Sequence, residues 1–302
     1  MIDFRKIELT DKEWIDTLLG YSDYRGAEYC FTNLFIWDGV YNSRIARYKD
    51  FLLLISGEGE NTRYLYPAGR GDKKEAIERL KADAQKRDVK MVLIGLSPEA
   101  ATELEHLYPG EFTIHPYRSS FDYIYEKEKL ITLSGKKLQS KRNHINFFKS
   151  NYNWDFQEFT PENVEEIKDF NREWCREVDC SQSESLDLEI CAVKKCLENY
   201  AHLGLTGGIL RVDGKIVAYT VGEQINSDTF IVHIEKAFAN VRGAYPVINN
   251  EFVKRMPAGI KYVNREDDAG DAGLRNAKES YNPLFMQEKH SAQIIDEQNF
   301  RR

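Results

Sequence analysis

Five charged side chains, Arg265, Glu266, Asp267, Asp268 and Asp271, fall within seven residues, one residue beyond the strand-like run 260–263. The run reads as a short strand and the residues beyond it as a helix. Leu274, Ala277, Lys278 and Tyr281 recur at i, i+3, i+4 and i+7, so a lysine shares the apolar stripe. Asn282 and Pro283 end the helix, because the residue before a proline is pushed out of the α region. Carboxylates released at the carboxyl end of a strand, just before a helix, stand where α/β folds bind ligands. The same acids can serve structure instead, capping the helix and complementing its positive end, while Lys278 snorkels to water. A cap uses one or two acids, so the number of charges favours a ligand site.

A second cluster has the opposite sign. Residues 130–150 carry Lys136, Lys137, Lys141, Arg142 and Lys149 with no acid, in a chain whose net charge is −7. Leu138, Ile145 and Phe148 supply an apolar stripe, so the segment reads as an amphipathic helix opened by Ser134 and Gly135. Lys137, Lys141 and His144 form a neighbouring basic stripe. Such a run is a solvated face by default, yet its lack of acids in an acidic protein points toward an anionic partner.

The elements that must position these groups repeat. In the first half, a hairpin over residues 44–55 is followed by a strand at 63–66, a helix at 72–86 and a strand at 91–94. A helix N-capped by Ser97 and a strand at 112–114 complete it. In the second half, a hairpin turns at Asp213-Gly214, a strong hairpin signal. A strand at 229–234, a helix at 245–255, the strand at 260–263, the acid-rich helix and a strand at 284–286 follow. Two further helices, opening at Thr160-Pro161 and near residue 186, precede this set. The shared order implies two lobes of mixed sheet flanked by helices (α+β or α/β), over 1–130 and 131–302, with the basic helix starting the second.

The 302 residues, 42% apolar and 30% charged, are globular in composition. No apolar run is long enough to cross a bilayer and no signal-peptide core precedes the first helix, so a cytoplasmic location is expected. Five cysteines without C-x-x-C or H-x-x-x-H spacing give no expectation of a metal site. Cys175/Cys180 and Cys191/Cys196, each five apart, do not share a helix face. His233, alone in its strand, reads as a core histidine.

The order of elements is that of the GCN5-related N-acetyltransferase (GNAT) fold. Residues 134–144, Lys236 with Gly243-Ala244-Tyr245, and residues 264–268 with Lys278, Tyr281 and Pro283 resemble the phosphatidylglycerol lysyltransferase C-terminal-domain family. The resemblance covers most of the chain and implies two tandem GNAT-like lobes, as in Fem-type peptidyl transferases. It also implies transfer of an aminoacyl group from aminoacyl-tRNA, as co-substrate, to a small-molecule, peptide or lipid-headgroup acceptor. The chain departs from the family pattern in having no membrane-spanning run, which disfavours a lipid acceptor.

On that reading, acyl transfer needs a base, donors for the developing oxyanion and an acid for the leaving group. Asp267 or Asp268 can accept the nucleophile's proton or hold the substrate's ammonium, Lys278 can supply positive charge, and Tyr281 can donate to the leaving oxygen. Arg265 and Glu266 adjoin them as substrate-binding residues. Lys137, Lys141, Arg142 and His144 would meet tRNA phosphates. The coenzyme A turn of acetyltransferases, [RQ]-x-x-G-x-[GA], corresponds to residues 240–245. Asn240 and Tyr245 break it, which disfavours coenzyme A, although Arg242 can still meet an anion. A coenzyme A-dependent acyltransferase and a non-catalytic RNA- or protein-binding protein are the alternative readings.

Overall fold

The computed structural model describes residues 1–178 and 184–295. Their strands form two seven-stranded mixed sheets. The first contains β1 (Arg44–Tyr48), β2 (Phe51–Ser56), β3 (Arg63–Leu65), β4 (Ala68–Gly69), β5 (Val92–Leu96) and β6 (Phe112–Pro116). The second contains β7 (Asp122–Glu126), β8 (Trp154–Glu158), β9 (Thr206–Val212), β10 (Lys215–Gln224), β11 (Thr229–Ala237), β12 (Tyr262–Asn264) and β13 (Phe285–Gln287). The last strand, β14 (His290–Ile294), belongs to the first sheet. Spatial order is β1-β2-β3-β5-β14-β6 in one sheet and β13-β7-β12-β11-β10-β9-β8 in the other, with β4 beside β2.

The two orders match over six strands, with β8 and β4 outside the shared set. Each sheet has a hairpin (β1-β2 or β9-β10), a third strand, and a fourth strand parallel to it (β3 with β5, β11 with β12). The slot beyond the fourth strand is filled by β14 in the first sheet and by β7 in the second. β7 follows the first lobe in the chain but pairs antiparallel with β12, and β14 follows the second lobe but pairs with β5 and β6. The compact units are accordingly residues 1–122 with 287–302, and residues 123–286. A cut at 130/131 would put β7 and β14 with the wrong sheets, because chain order cannot reveal strands that exchange partners.

Helices α1 (Lys12–Ser22), α2 (Phe31–Ile36), α3 (Asp38–Tyr41), α4 (Lys73–Arg87) and α5 (Pro98–Leu107) belong to the first unit. Asp72 caps α4 by accepting from Glu75 N at 3.0 Å, and Ser97 caps α5 by accepting from Ala100 N at 3.2 Å. The expected stripe of α4, Ala76, Ile77, Leu80 and Ala84, is buried against Phe51, Leu53, Tyr64 and Leu93. Burial of each of the large side chains contributes about 1.5–3 kcal/mol.

The second unit holds α6 (Lys127–Thr132), α7 (Gln139–Asn151), α8 (Val164–Val178), α9 (Glu184–Glu198), α10 (Tyr200–Leu203), α11 (Ala244–Val253) and α12 (Ala272–Glu279). Its hairpin turns at Asp213 and Gly214, both with positive φ, as the sequence signal requires. α11 packs on α6, α7 and strands β9 to β11, and Asn250 on its buried face donates to the Leu130 and Ile131 carbonyls at 2.8 Å. Cys180 lies outside the described residues. No helix among them is long and apolar enough to cross a membrane.

Candidate functional site

The site begins where two parallel strands part. β11 and β12 pair only at Thr229 with Tyr262, Phe230 with Val263 and Ile231 with Asn264. Past Asn264 the chain stays with β7, where Arg265 N donates to Tyr123 O at 3.0 Å and Tyr123 N to Glu266 O at 3.1 Å. β11 continues beside β10 to Ala237. A wedge therefore opens at the carboxyl end of β12, the position where open sheets receive ligands. Side chains from both edges reach across it. Arg265 Nη2 donates to Glu235 Oε1 at 2.7 Å, and His233 Nδ1 lies 2.9 Å from Glu266 Oε1. The other ring nitrogen of His233 is 3.2 Å from Glu223 Oε1. The His233 side chain is thus buried and hydrogen-bonded to carboxylates on either side, as its core reading anticipates.

Tyr281 forms the floor of this cluster. Its ring is buried, edge-on to Tyr125, with the Arg265 guanidinium 4.8 Å and the Lys141 ammonium 4.1 Å from its centroid. Glu235 is held from its other side by Asn249 Nδ2 at 2.9 Å. Two cations therefore face one carboxylate. Arg265 Nη1 is buried without a hydrogen-bond partner. Among the described residues the Lys141 ammonium and the Tyr281 hydroxyl have none either. Burial lowers the Lys141 pKa, and the neighbouring Arg265 charge lowers it further, against a smaller opposing effect of Glu235. Burial raises the Tyr281 hydroxyl above its ordinary value, so it is a proton donor at neutral pH.

The acid-rich loop itself is largely self-satisfied. Asp268 is fully buried: its Oδ1 accepts from Gly270 N and Arg275 Nη2, each at 2.9 Å, and its Oδ2 from Tyr123 OH at 2.7 Å and Arg275 Nε at 2.9 Å. The Arg275 hydrogen bonds hold its carboxyl well below the carboxylate range, outweighing desolvation, so it cannot serve as a base near neutrality. Asp271 caps α12 by accepting from Leu274 N at 2.7 Å. Asp267 is half-buried, with Oδ1 accepting from Ala269 N at 2.9 Å. Lys278 does not carry its charge into the wedge; it donates to the Arg265 carbonyl at 2.6 Å and to the Asp267 carbonyl. It clamps the loop on which Arg265 sits. The stripe expected on α12 is also corrected: Leu274 is 47% exposed and no residue of α12 is buried. Only Tyr281, past the helix, enters the interior.

The basic segment divides. Arg142 donates to the Leu133 and Gly135 carbonyls, closing the turn before α7. Lys149 pairs with Glu251 at 2.6 Å. Lys137 is exposed and donates to Asn282 Oδ1 at 3.1 Å, while Lys141 turns onto Tyr281. His144 is half-buried, and its carbonyl lies only 2.6 Å from where a Cβ on Gly243 would stand. Gly243, with φ 94°, thus has its lack of a side chain used by α7, whose backbone covers the turn that would cradle a coenzyme A pyrophosphate. Arg242 stacks on Phe147 of α7 at 4.2 Å.

At the corresponding position of the first lobe, Tyr29 OH lies 3.1 Å from the carbonyls of both Tyr66, just after β3, and Gly95, near the end of β5. Its ring is buried beside a small cavity also lined by Glu28 and Lys289. In the second unit, a solvent-open depression of 460 Å³ at the amino end of β12 is lined by Glu126, Lys127 and Tyr262 and contains none of the candidate residues.

Residues 21–293 match the family described as phosphatidylglycerol lysyltransferase, C-terminal. The chain belongs to that family. Its fold is two tandem GNAT-like lobes. A conserved protein of unknown function from Bacteroides thetaiotaomicron is 41% identical over 98% of this chain and 100% of its own, with TM-score 0.94. L-PGS from Bacillus licheniformis shares the fold at TM-score 0.67 and 17% identity, over 94% of this chain and 92% of that one. An uncharacterized protein from Mycoplasmoides gallisepticum is 28% identical over 183 residues. That match takes in 59% of this chain and 58% of the relative, so the chain spans little more than half the relative's length.

Sequence reasoning found Arg265, Tyr281 and Lys141 but missed Glu235, Asn249 and Tyr125. Glu235 lies two residues beyond His233 on the same face of β11, a two-residue period that could have found it. Asn249 and Tyr125 reach the wedge from α11 and β7, and nothing local marks them.

Proposed function

We propose that the protein transfers an aminoacyl group from aminoacyl-tRNA to an amine or hydroxyl acceptor, using the wedge between β11 and β12. The observation that carries the reading is the convergence of Lys141, Arg265 and Tyr281 there, each with a donor that no described residue occupies. The family's name, phosphatidylglycerol lysyltransferase, supports an aminoacyl group as what is transferred. The filling of the phosphate turn by α7 weighs against coenzyme A. In the reaction, the acceptor's lone pair attacks the ester carbonyl and the acceptor loses a proton. The tetrahedral oxyanion then collapses, releasing the 3′-oxygen of the nucleic acid, which takes up a proton. Lys141 and Arg265 supply the positive field, Tyr281 donates to the leaving oxygen, and Asp267 is assigned to the substrate's ammonium group. An activated ester leaves positioning as the main task.

The test is to incubate the purified protein with radiolabelled lysyl- and alanyl-tRNA, with small amines, peptides and phosphatidylglycerol as acceptors, beside labelled acetyl-coenzyme A. Labelled aminoacyl product, reduced at least tenfold in Tyr281→Phe, is expected. Acetyl transfer from coenzyme A, or tRNA binding without product for any acceptor, would refute the reading.

A further inference from the structure

We infer that Lys141 and Arg265 form a seat for one phosphodiester group, with Lys137 at its mouth. The inference deepens the aminoacyl-transfer reading and rests on it for the source of the diester, the 3′ end of a nucleic acid.

Three observations carry it. Consecutive residues Tyr281 and Asn282 each receive a lysine from α7 and the turn before it: Lys141 lies over the Tyr281 ring at 4.1 Å, and Lys137 reaches Asn282 Oδ1 at 3.1 Å. The two lysines are four residues apart, about 6 Å at the helical rise. With Arg265 they make a line of positive charge from the exposed surface (Lys137) through half-buried Lys141 to a guanidinium 12% exposed. Second, the inner end is over-supplied with charge, since among the described residues Glu235 is the carboxylate that acts on both Lys141 and Arg265. Third, the unused donors sit at that end: Arg265 Nη1 is buried without a partner, and the Lys141 ammonium has none among the described residues. Two like charges kept together beside one carboxylate disfavour the empty fold, whereas an entering anion is drawn to both. A phosphodiester offers two non-bridging oxygens, one for each cation, and its single charge balances the surplus.

The seat is tested apart from catalysis by equilibrium binding of two soluble diesters, the dinucleotide cytidylyl-(3′→5′)-adenosine and glycerophosphoglycerol, to the whole protein. The dinucleotide is expected to bind at least tenfold more weakly to Lys141→Gln and within threefold of the parent to Lys141→Arg. Binding of the dinucleotide to the parent should weaken as salt rises, by screening of the diester charge. Because its ammonium is unpaired, Lys141→Gln should melt at or above the parent temperature, so weak binding will not reflect unfolding. Unchanged binding in Lys141→Gln, or no binding of either diester at millimolar concentration, would overturn the seat. Preference for glycerophosphoglycerol, with the same dependence on Lys141, would support the seat but move its source to a lipid headgroup. Dinucleotide binding without aminoacyl transfer would leave the seat standing and remove the catalytic reading.

Discussion

At the scale of single residues, the charges that stand out in the sequence divide between those that build the site and those that face it. Lys278 binds two main-chain carbonyls of the loop carrying Arg265, so it is a positioning residue. We expect Lys278→Met to reduce transfer at least tenfold, about 1.4 kcal/mol of transition-state stabilisation. Dinucleotide affinity should fall in parallel because Arg265 is displaced; lost transfer with unchanged affinity would contradict that role. Acid stability provides a separate check. Burial pushes the Glu251 carboxyl up, but Lys149, Arg255 and Lys254 outweigh it and hold it down at about 2. Asp268 is likewise held low by Arg275 and Tyr123. For such depressed acids the stabilisation is complete above the unfolded values, about 3.9 for Asp and 4.3 for Glu, and is lost as pH falls through the folded ones. The melting temperature should therefore drop between about pH 4.5 and 2, and Glu251→Gln should flatten that drop. A flat profile in the parent would count against these pairs.

At the scale of elements, the decisive feature is the seating of α7 on Gly243. A side chain there would stand 2.6 Å from the His144 carbonyl and 3.0 Å from Phe148 Cβ, on a backbone with φ 94°. Gly243→Ala should cost about 1–3 kcal/mol from the backbone conformation alone, with a further loss from displacing α7. Because α7 carries Lys141, diester binding should weaken in the variant that still folds. Unfolding by urea and titration with the dinucleotide measure the two effects. An undisturbed melting curve would mean that α7 does not depend on this contact. The first lobe shows the contrasting state of the same element pair, with Tyr29 bonded to the carbonyls beside its parted strands. The cluster of Lys141, Arg265 and Tyr281 belongs to the second lobe.

At the scale of the molecule, the fold depends on strands that leave their own half of the sequence. β14 lies between β5 and β6 and pairs with both. Deleting residues 287–302 should leave both neighbours with an unpaired edge, and amide exchange protection in β5 and β6 should fall toward that of surface loops. Protection in β9 to β11 should persist, since no strand of that sheet is interrupted among them. Equal loss across both sheets would show that the two units unfold as one.

Much of the architecture is written locally. Ser97-Pro98 starts α5, Asp213-Gly214 turns a hairpin, and the Ala76, Ile77, Leu80 and Ala84 stripe buries α4, because each depends on neighbours within a turn or two. The doubled order of elements and the importance of residues 264–283 follow from the same short-range signals. Local pattern cannot say which charge meets which. Asp268 and Arg275 pair across a loop, Lys278 folds back on carbonyls, and Lys141 meets Tyr281 from 140 positions away in the chain. Leu274 carries the helical period but stays exposed, because period marks a face and not what covers it. The sequence by itself determined most of the elements and pointed to the region of the candidate site. The tertiary structure decided the strand exchange, the wedge and the unpaired donors, because each arises from contacts between residues far apart in the chain.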